Sequence, residues 1–298
     1  MFVKDFDHLM DLAKEKKAKK IAVVSAEDVD LLGVIKKAED MGLAEFILIG
    51  DSGRIGDMLR DKGWDLRAQI VDAGGHKEAA EKAVDLVLEG QAGTLMKGML
   101  ASSVFLRAIL NKEKGLNTGR HITQVSVLEK GKEEGLRFIT DCAITVDPDL
   151  LSKKEVLENA VSLAHKLGNP KPRVAVLASV EVVNPRMQET IDAAALSKMA
   201  DRGQIKGCIV DGPLAFDNAV CEEAARAKGI AGEVAGKADI VVVPELTVGN
   251  ALTKSISYIA KKTVVAATVG AAVPIVFTSR TESTEGKLLS IALASYIS

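Results

Sequence analysis

Apolar and polar positions follow one another in blocks along this chain, and the blocks differ in period. Short continuous apolar runs fit strands buried on both faces, and the longer stretches between them carry apolar positions at helical spacing. Residues 20–25 (KIAVVS) predict a strand, and 27–41 a helix stopped by Gly42. Residues 45–49 (EFILI) predict the next strand, closed by Gly50, Asp51 and Ser52. Residues 69–72 follow as a strand, then a helix over 76–89, a short strand over 94–97 and a helix over 102–111. Alternation of this kind predicts a parallel sheet with right-handed crossovers.

The rhythm breaks at 123–140, where QVSVLE and LRFIT flank the charged EKGKEEG; this predicts an antiparallel hairpin. Asp147-Pro148 marks a turn, and a helix over 152–167 is stopped by Gly168, with Pro170 and Pro172 beyond. A domain change is therefore expected at 140–148. A second series follows: strands over 173–179, 207–211, 239–243 and 263–268, and helices over 187–202, 218–228 and 249–261. The apolar run 275–277 leads into a closing helix over 282–296.

The 298 residues are 47% hydrophobic, 27% charged and only 3% aromatic, so the core is expected to be aliphatic. A net charge of −2 gives no electrostatic reason to expect nucleic acid. The first twenty residues lack the apolar core of a secretion signal. No run reaches the ~18 apolar residues of a membrane helix. These features predict a cytoplasmic protein with no membrane partner. Cys142, Cys208 and Cys221 are scattered, and His8, His76, His121 and His165 have no metal-ligand spacing. Phosphate-loop, dinucleotide, nucleophile-elbow and zinc-helix motifs are all absent.

Candidate chemistry concentrates in PIVFTSRTESTEGK at 274–287. Ser279, Arg280, Glu282 and Glu285 fall where a strand hands over to a helix, which is where ligands sit in open α/β sheets. The Arg280 fork suits a phosphate or carboxylate, and a nearby carboxylate can take a proton. The plainer alternative is a capping box formed by Ser279 and Glu282. Lys97 and Gly98 end another strand, and Ala101-Ser102-Ser103 opens the following helix with hydroxyls. That arrangement suits an anion; the alternative is a surface lysine before an ordinary cap. Asp211 ends a strand before Gly212-Pro213, and Asn250 stands at a helix start; each is weak alone. Their common place on strand-to-helix loops is the stronger signal.

Five segments together resemble the phosphate acyltransferase family, acetyl and butyryl, and most closely its butyryl branch. They are LMKGMLASSVFLRAILNKEKGL (95–116), ITDCAITVDPDL (139–150), VDGPLAFDNAV (210–220), GEVAGKADIVVVPELTVGNALTKS (232–255) and PIVFTSRTESTEGKLLSIALA (274–294). The resemblance spans the whole chain. It implies two mainly parallel α/β domains like those of isocitrate and isopropylmalate dehydrogenases, with an active site in the cleft between them. By that analogy residues 1–140 and 275–298 form one domain and 141–274 the other. The implied reaction is acyl-CoA plus phosphate giving acyl phosphate plus CoA, by direct attack, with CoA as substrate and no tightly bound cofactor or metal. Arg280 is then expected to orient phosphate, and Ser279 or helix N–H groups to stabilise the carbonyl oxygen. Lys97, Gly98, Ser102, Asp211 and Asn250 are expected to bind substrate. The family places an Asp base where this chain has Gly286, so the neighbouring Glu285 becomes the expected base. A homo-oligomer is expected. The rival readings are acetyl-CoA as substrate, a non-catalytic sensor of CoA or acyl phosphate, and an NAD-dependent dehydrogenase on the same fold.

Overall fold

A computed structural model describes residues 1–16, 20–131, 134–277 and 282–298. The elements, in chain order, are α1 (Phe6–Glu15), β1 (Lys20–Val24), α2 (Val29–Asp40), β2 (Phe46–Gly50), α3 (Ser52–Lys62), β3 (Gln69–Asp72), α4 (His76–Leu88), β4 (Ala92–Lys97) and α5 (Ser102–Ile109). Next come β5 (Thr123–Glu129), β6 (Leu136–Thr140), α6 (Leu150–Lys166), β7 (Arg173–Leu177), α7 (Gln188–Asp201), β8 (Ile209–Leu214), α8 (Phe216–Val220) and α9 (Glu222–Ala227). The chain closes with β9 (Ile240–Val242), α10 (Leu246–Lys254), a π turn (Ser255–Ile259), β10 (Val265–Val269), β11 (Ile275–Val276) and α11 (Thr284–Ile297).

Two compact units result, one of 6–120 with 265–298, the other of 1–5 with 121–264. In the first, the strand order is β3-β2-β1-β4-β11-β10. β1 runs parallel to β2 and β4, and β11 runs parallel to β4. Among the described residues of this unit, β10 alone runs antiparallel, against β11. Ile21, Val23, Leu48 and Met96 from the strands meet Leu32 and Ile35 of α2 and Ile291 of α11 in one aliphatic core. The closing helix thereby joins residues nearly the whole chain away. In the second unit the order is β5-β6-β9-β7-β8, parallel except for the β5–β6 hairpin. Its core holds Ile139, Ala175, Leu177, Leu214 and Val241.

The units and the division expected at 140 and 275 differ by three stretches. Residues 1–5 go with 121–264, where the Val3 amide donates to the Leu167 carbonyl at 3.0 Å and the Lys4 carbonyl accepts the Gly135 amide at 2.9 Å. The β5–β6 hairpin hydrogen-bonds in parallel to β9, which carries it with 121–264. Residues 265–274 go with the other unit, because β10 pairs with β11.

Several element boundaries also moved. α1 and α3 were not anticipated. α1 buries Phe6, Leu9 and Ala13, a thin stripe among charged residues. α3 buries only Ile55 and relies on its ends: Asp51 accepts the Arg54 amide at 2.9 Å, and Gly63 closes it at φ 63°. The 218–228 helix is two helices broken at Cys221, whose φ of −130° and ψ of 117° are extended. The 249–261 helix begins three residues earlier, at Leu246, and ends in the π turn. The strand read as ending at Asp211 continues to Leu214.

Candidate active site

In the unit of 6–120 and 265–298, three parallel strands end side by side. Val24 of β1 is level with Lys97 of β4, and Val276 of β11 is level with Met96. Phe277 therefore leaves β11 beside Lys97. The Lys97 Nζ lies 5.7 Å from the centre of the Phe277 ring, within cation–π range. Phe277 also tilts against the buried Phe105 of α5, with ring centres 6.0 Å apart. The half-buried Lys97 is thus held over an apolar wall, with its carbon stem desolvated and its charge beside the start of the C-terminal motif.

At Gly98 the chain passes close against the end of β1. Its amide donates to the Val24 carbonyl at 2.9 Å, and the Met99 amide donates to the Ser25 carbonyl at 2.9 Å. A Cβ at position 98 would lie 2.2 Å from the Ser25 oxygen and 2.5 Å from the Val24 oxygen. Only glycine fits against those backbone atoms. Ser102 is exposed and is the first residue of α5. The cap position is Ala101, which offers no side-chain hydrogen bond, so the ordinary-cap alternative for the serines does not hold. The cap position therefore brings no side-chain acceptor to the positive end of α5.

Ser279 and Arg280 lie outside the described residues. The helix that follows them is capped by Ser283, whose hydroxyl accepts the Gly286 amide at 3.0 Å. The capping-box alternative for Ser279 and Glu282 is therefore replaced by a cap four residues later. Glu285 stands exposed in the first turn of α11, where a carboxylate favours the helix dipole. Glu282 is half-buried, and its Oε1 accepts the Ser290 hydroxyl at 3.4 Å. The same oxygen would lie 3.1 Å from a Cβ built on the buried Gly286. The carboxylate of Glu282 thus fills space that a side chain at 286 would enter.

In the unit of 1–5 and 121–264, Asp211 is the third residue of β8 and accepts the next amide, Gly212, at 2.8 Å. Asn250 is the fifth residue of α10, not its start, and its Nδ2 donates to the Cys142 carbonyl at 3.2 Å. Its neighbour Gly249 is pressed on the Asp141 carbonyl, which would lie 2.3 Å from an added Cβ. The buried Asp141 accepts the amides of Ala143, Ile144 and Thr145 at 2.9, 3.1 and 3.0 Å, and the Thr145 hydroxyl at 2.8 Å. Sequence reasoning passed over Asp141. The signal available was an acidic residue directly after an apolar strand, followed by small and hydroxylated residues.

The cysteines bear on the chemistry available. Burial pushes the Cys142 thiol up from 9.0 to about 12 and the Cys208 thiol up to about 11. Neither is a thiolate near neutral pH, so neither is equipped as a nucleophile. For Cys142 the folded state keeps its proton where the unfolded chain has lost it. Stability is then complete below pH 9.0 and falls as pH rises toward about 12. Chemical denaturation at pH 8 and pH 10.5 is expected to show a smaller alkaline loss in Cys142→Ala than in the unsubstituted chain.

A strand-end lysine over an aromatic wall, a glycine-tight turn and a helix start without a side-chain cap are an arrangement that suits an anion in an α/β protein. Comparison with known proteins gives that class its family. Residues 75–295 match the family model described as "Phosphate acetyl/butaryl transferase". The phosphate butyryltransferase of Clostridium acetobutylicum is 45% identical over 296 residues, 99% of this chain and 98% of that protein. A branched-chain phosphotransacylase structure from Enterococcus faecalis has a TM-score of 0.81 and 30% identity, covering 94% of this chain and 98% of that one. A structure assigned as 4-hydroxythreonine-4-phosphate dehydrogenase, from Salmonella typhimurium, shares the fold at a TM-score of 0.62 and 17% identity, over 95% of this chain and all of that one. The chain belongs to the phosphate acetyl/butyryl transferase family and is an acyltransferase acting on acyl-CoA and phosphate. Among the described residues no helix is long and apolar enough to cross a membrane.

Proposed function

We propose that the chain moves a short acyl group, butyryl in preference to acetyl, between CoA and inorganic phosphate by direct attack in a ternary complex. The carrying observation is the Lys97–Gly98 strand end beside Phe277, the residue that introduces the Thr278-Ser279-Arg280 segment. The butyryl preference rests on the 45% identity to a relative that bears that name.

A phosphate oxygen attacks the thioester carbonyl, the carbon–sulfur bond breaks, and the departing CoA sulfur takes a proton. Arg280 and Lys97 neutralise and orient phosphate. Ser279 donates to the carbonyl oxygen as charge builds there. Gly98, Ser102, Asp211 and Asn250 complete the substrate contacts. Protonated Cys142 and Cys208 favour direct attack over an acyl-cysteine route. CoA is a substrate and no cofactor stays bound. The enzyme works in the cytoplasm as a homo-oligomer, as the family resemblance implies.

Glu285 is the proton carrier by its position next to Gly286. A second reading assigns this role to Glu282, which is half-buried and held by Ser290, whereas Glu285 is exposed. Glu282→Gln and Glu285→Gln separate the two. The true carrier is expected to lose about 10²- to 10⁴-fold in kcat, and its neighbour little.

The deciding experiment follows thiol release from acetyl- to valeryl-CoA with and without phosphate. Phosphate-dependent release, fastest with butyryl-CoA, is the expected result. Butyryl exceeds acetyl by two methylenes, each contributing ~1–3 kcal/mol in an apolar pocket, so equal kcat/KM for acetyl- and butyryl-CoA would remove the chain-length preference. Tight CoA binding without turnover would leave a sensor instead.

A further inference from the structure

We infer that Ser25 and His76 are positioning residues for the acyl transfer, which seat the 97–99 turn through a single hydroxyl–imidazole hydrogen bond. This rests on reading Lys97 as a substrate-binding cation. Ser25 follows β1 and is 1% exposed. Its φ is 55°, in the left-handed region that only glycine enters without strain. Glycine would serve the backbone better there, so the serine side chain is the feature to explain.

The Ser25 hydroxyl lies 2.8 Å from Nδ1 of His76, the first residue of α4. The Ser25 backbone is what the turn rests on. Its carbonyl accepts the Met99 amide at 2.9 Å, and the same oxygen is the atom that bars a side chain at Gly98. The direction of that carbonyl depends on the left-handed conformation of Ser25. The imidazole holds the conformation from the far side, anchored on a helix that packs against β1 and β4. Lys97 is the residue immediately before the seated turn. Loss of the hydrogen bond leaves residue 25 untethered: a side-chain-bearing residue relaxes out of the left-handed region and a glycine samples both signs of φ, so in either case the carbonyl and the Lys97 ammonium lose their set direction. His76 is exposed, so its ring is not needed to fill the core.

The test uses Ser25→Gly, His76→Ala, His76→Asn and the Ser25→Gly/His76→Ala pair, each alone and with Lys97→Met. Steady-state kinetics with butyryl-CoA and phosphate, CoA affinity by calorimetry and thermal midpoints are the readouts. Ser25→Gly removes both the hydroxyl and the strain. It is expected to keep or raise the thermal midpoint while kcat/KM falls about tenfold, the size of one net hydrogen bond. His76→Ala is expected to fall equally, and the double variant no further, because both remove one bond. His76→Asn, whose amide reaches the Nδ1 position, is expected to recover most of the loss. With Lys97→Met, Ser25→Gly is expected to change kcat/KM and CoA affinity by less than about twofold. Activity losses that simply track thermal midpoints, or an undiminished Ser25→Gly effect beside Lys97→Met, overturn the inference. So does unchanged kcat/KM in Ser25→Gly. Failure of the underlying reading looks different: Lys97→Met itself is then without effect.

Discussion

Arg280→Ala is expected to raise the KM for phosphate and cut kcat, with a combined loss of about 10²- to 10³-fold in kcat/KM. A planar guanidinium bonds two phosphate oxygens at once, and no other side chain in the 274–287 motif can replace that fork. Removing one such donor from developing charge costs about 2.7–4 kcal/mol. Arg280→Lys keeps the charge without the fork, so it belongs between the two. Initial rates at varied phosphate and saturating butyryl-CoA check this. An unchanged phosphate KM in Arg280→Ala would take the residue out of its assigned role.

Gly98→Ala is the second large effect, and here stability and activity fall together. The new methyl would be 2.2 Å from the Ser25 carbonyl oxygen and 2.5 Å from that of Val24, backbone atoms at and just beyond the end of a central strand. No rotamer change relieves such a clash, so β1 and the turn must separate. Overpacking of this kind costs about 1–3 kcal/mol and more where backbone must move, which places this variant at or above the upper end. Separation breaks the Gly98–Val24 and Met99–Ser25 hydrogen bonds and carries Lys97 away with the turn. Denaturant unfolding is expected to show a loss of about 3 kcal/mol, and kcat/KM a fall of more than about tenfold. An alanine variant with normal stability and normal rate would show that the turn yields freely and is no rigid platform.

Much of this was readable before any coordinates. The strands of the first series stand within a residue or two of where their apolar runs put them, because a strand buried on both faces admits few polar residues. The hairpin was legible for a similar reason: two alternating runs flank a charged loop. α3 was not, since one buried isoleucine gives almost no periodicity, and Asp51-Ser52 passed for a loop instead of a helix cap. The break at Cys221 was equally silent, because nothing in that stretch's composition opposes a continuous helix.

At the site the division is sharper. Lys97, Gly98 and the Ser279-Arg280 pair were picked out by residue type at predicted strand ends, a local property of the chain. Ser25 and His76 were not, since a serine in an ordinary strand-to-loop step becomes distinctive only through its left-handed φ and its imidazole partner 51 positions on. Asn250 was chosen for a helix start that it does not occupy. The sequence by itself determined the α/β class, the order of the strands and of the strongly periodic helices, the family, and the residue types at the strand ends, because these follow from periodicity and local motifs. Only the tertiary structure decided which strand ends lie side by side, that Phe277 walls Lys97, that Ser283 caps the last helix, and that Gly98 admits no side chain. Those depend on pairing between segments far apart in the chain, which no local pattern encodes.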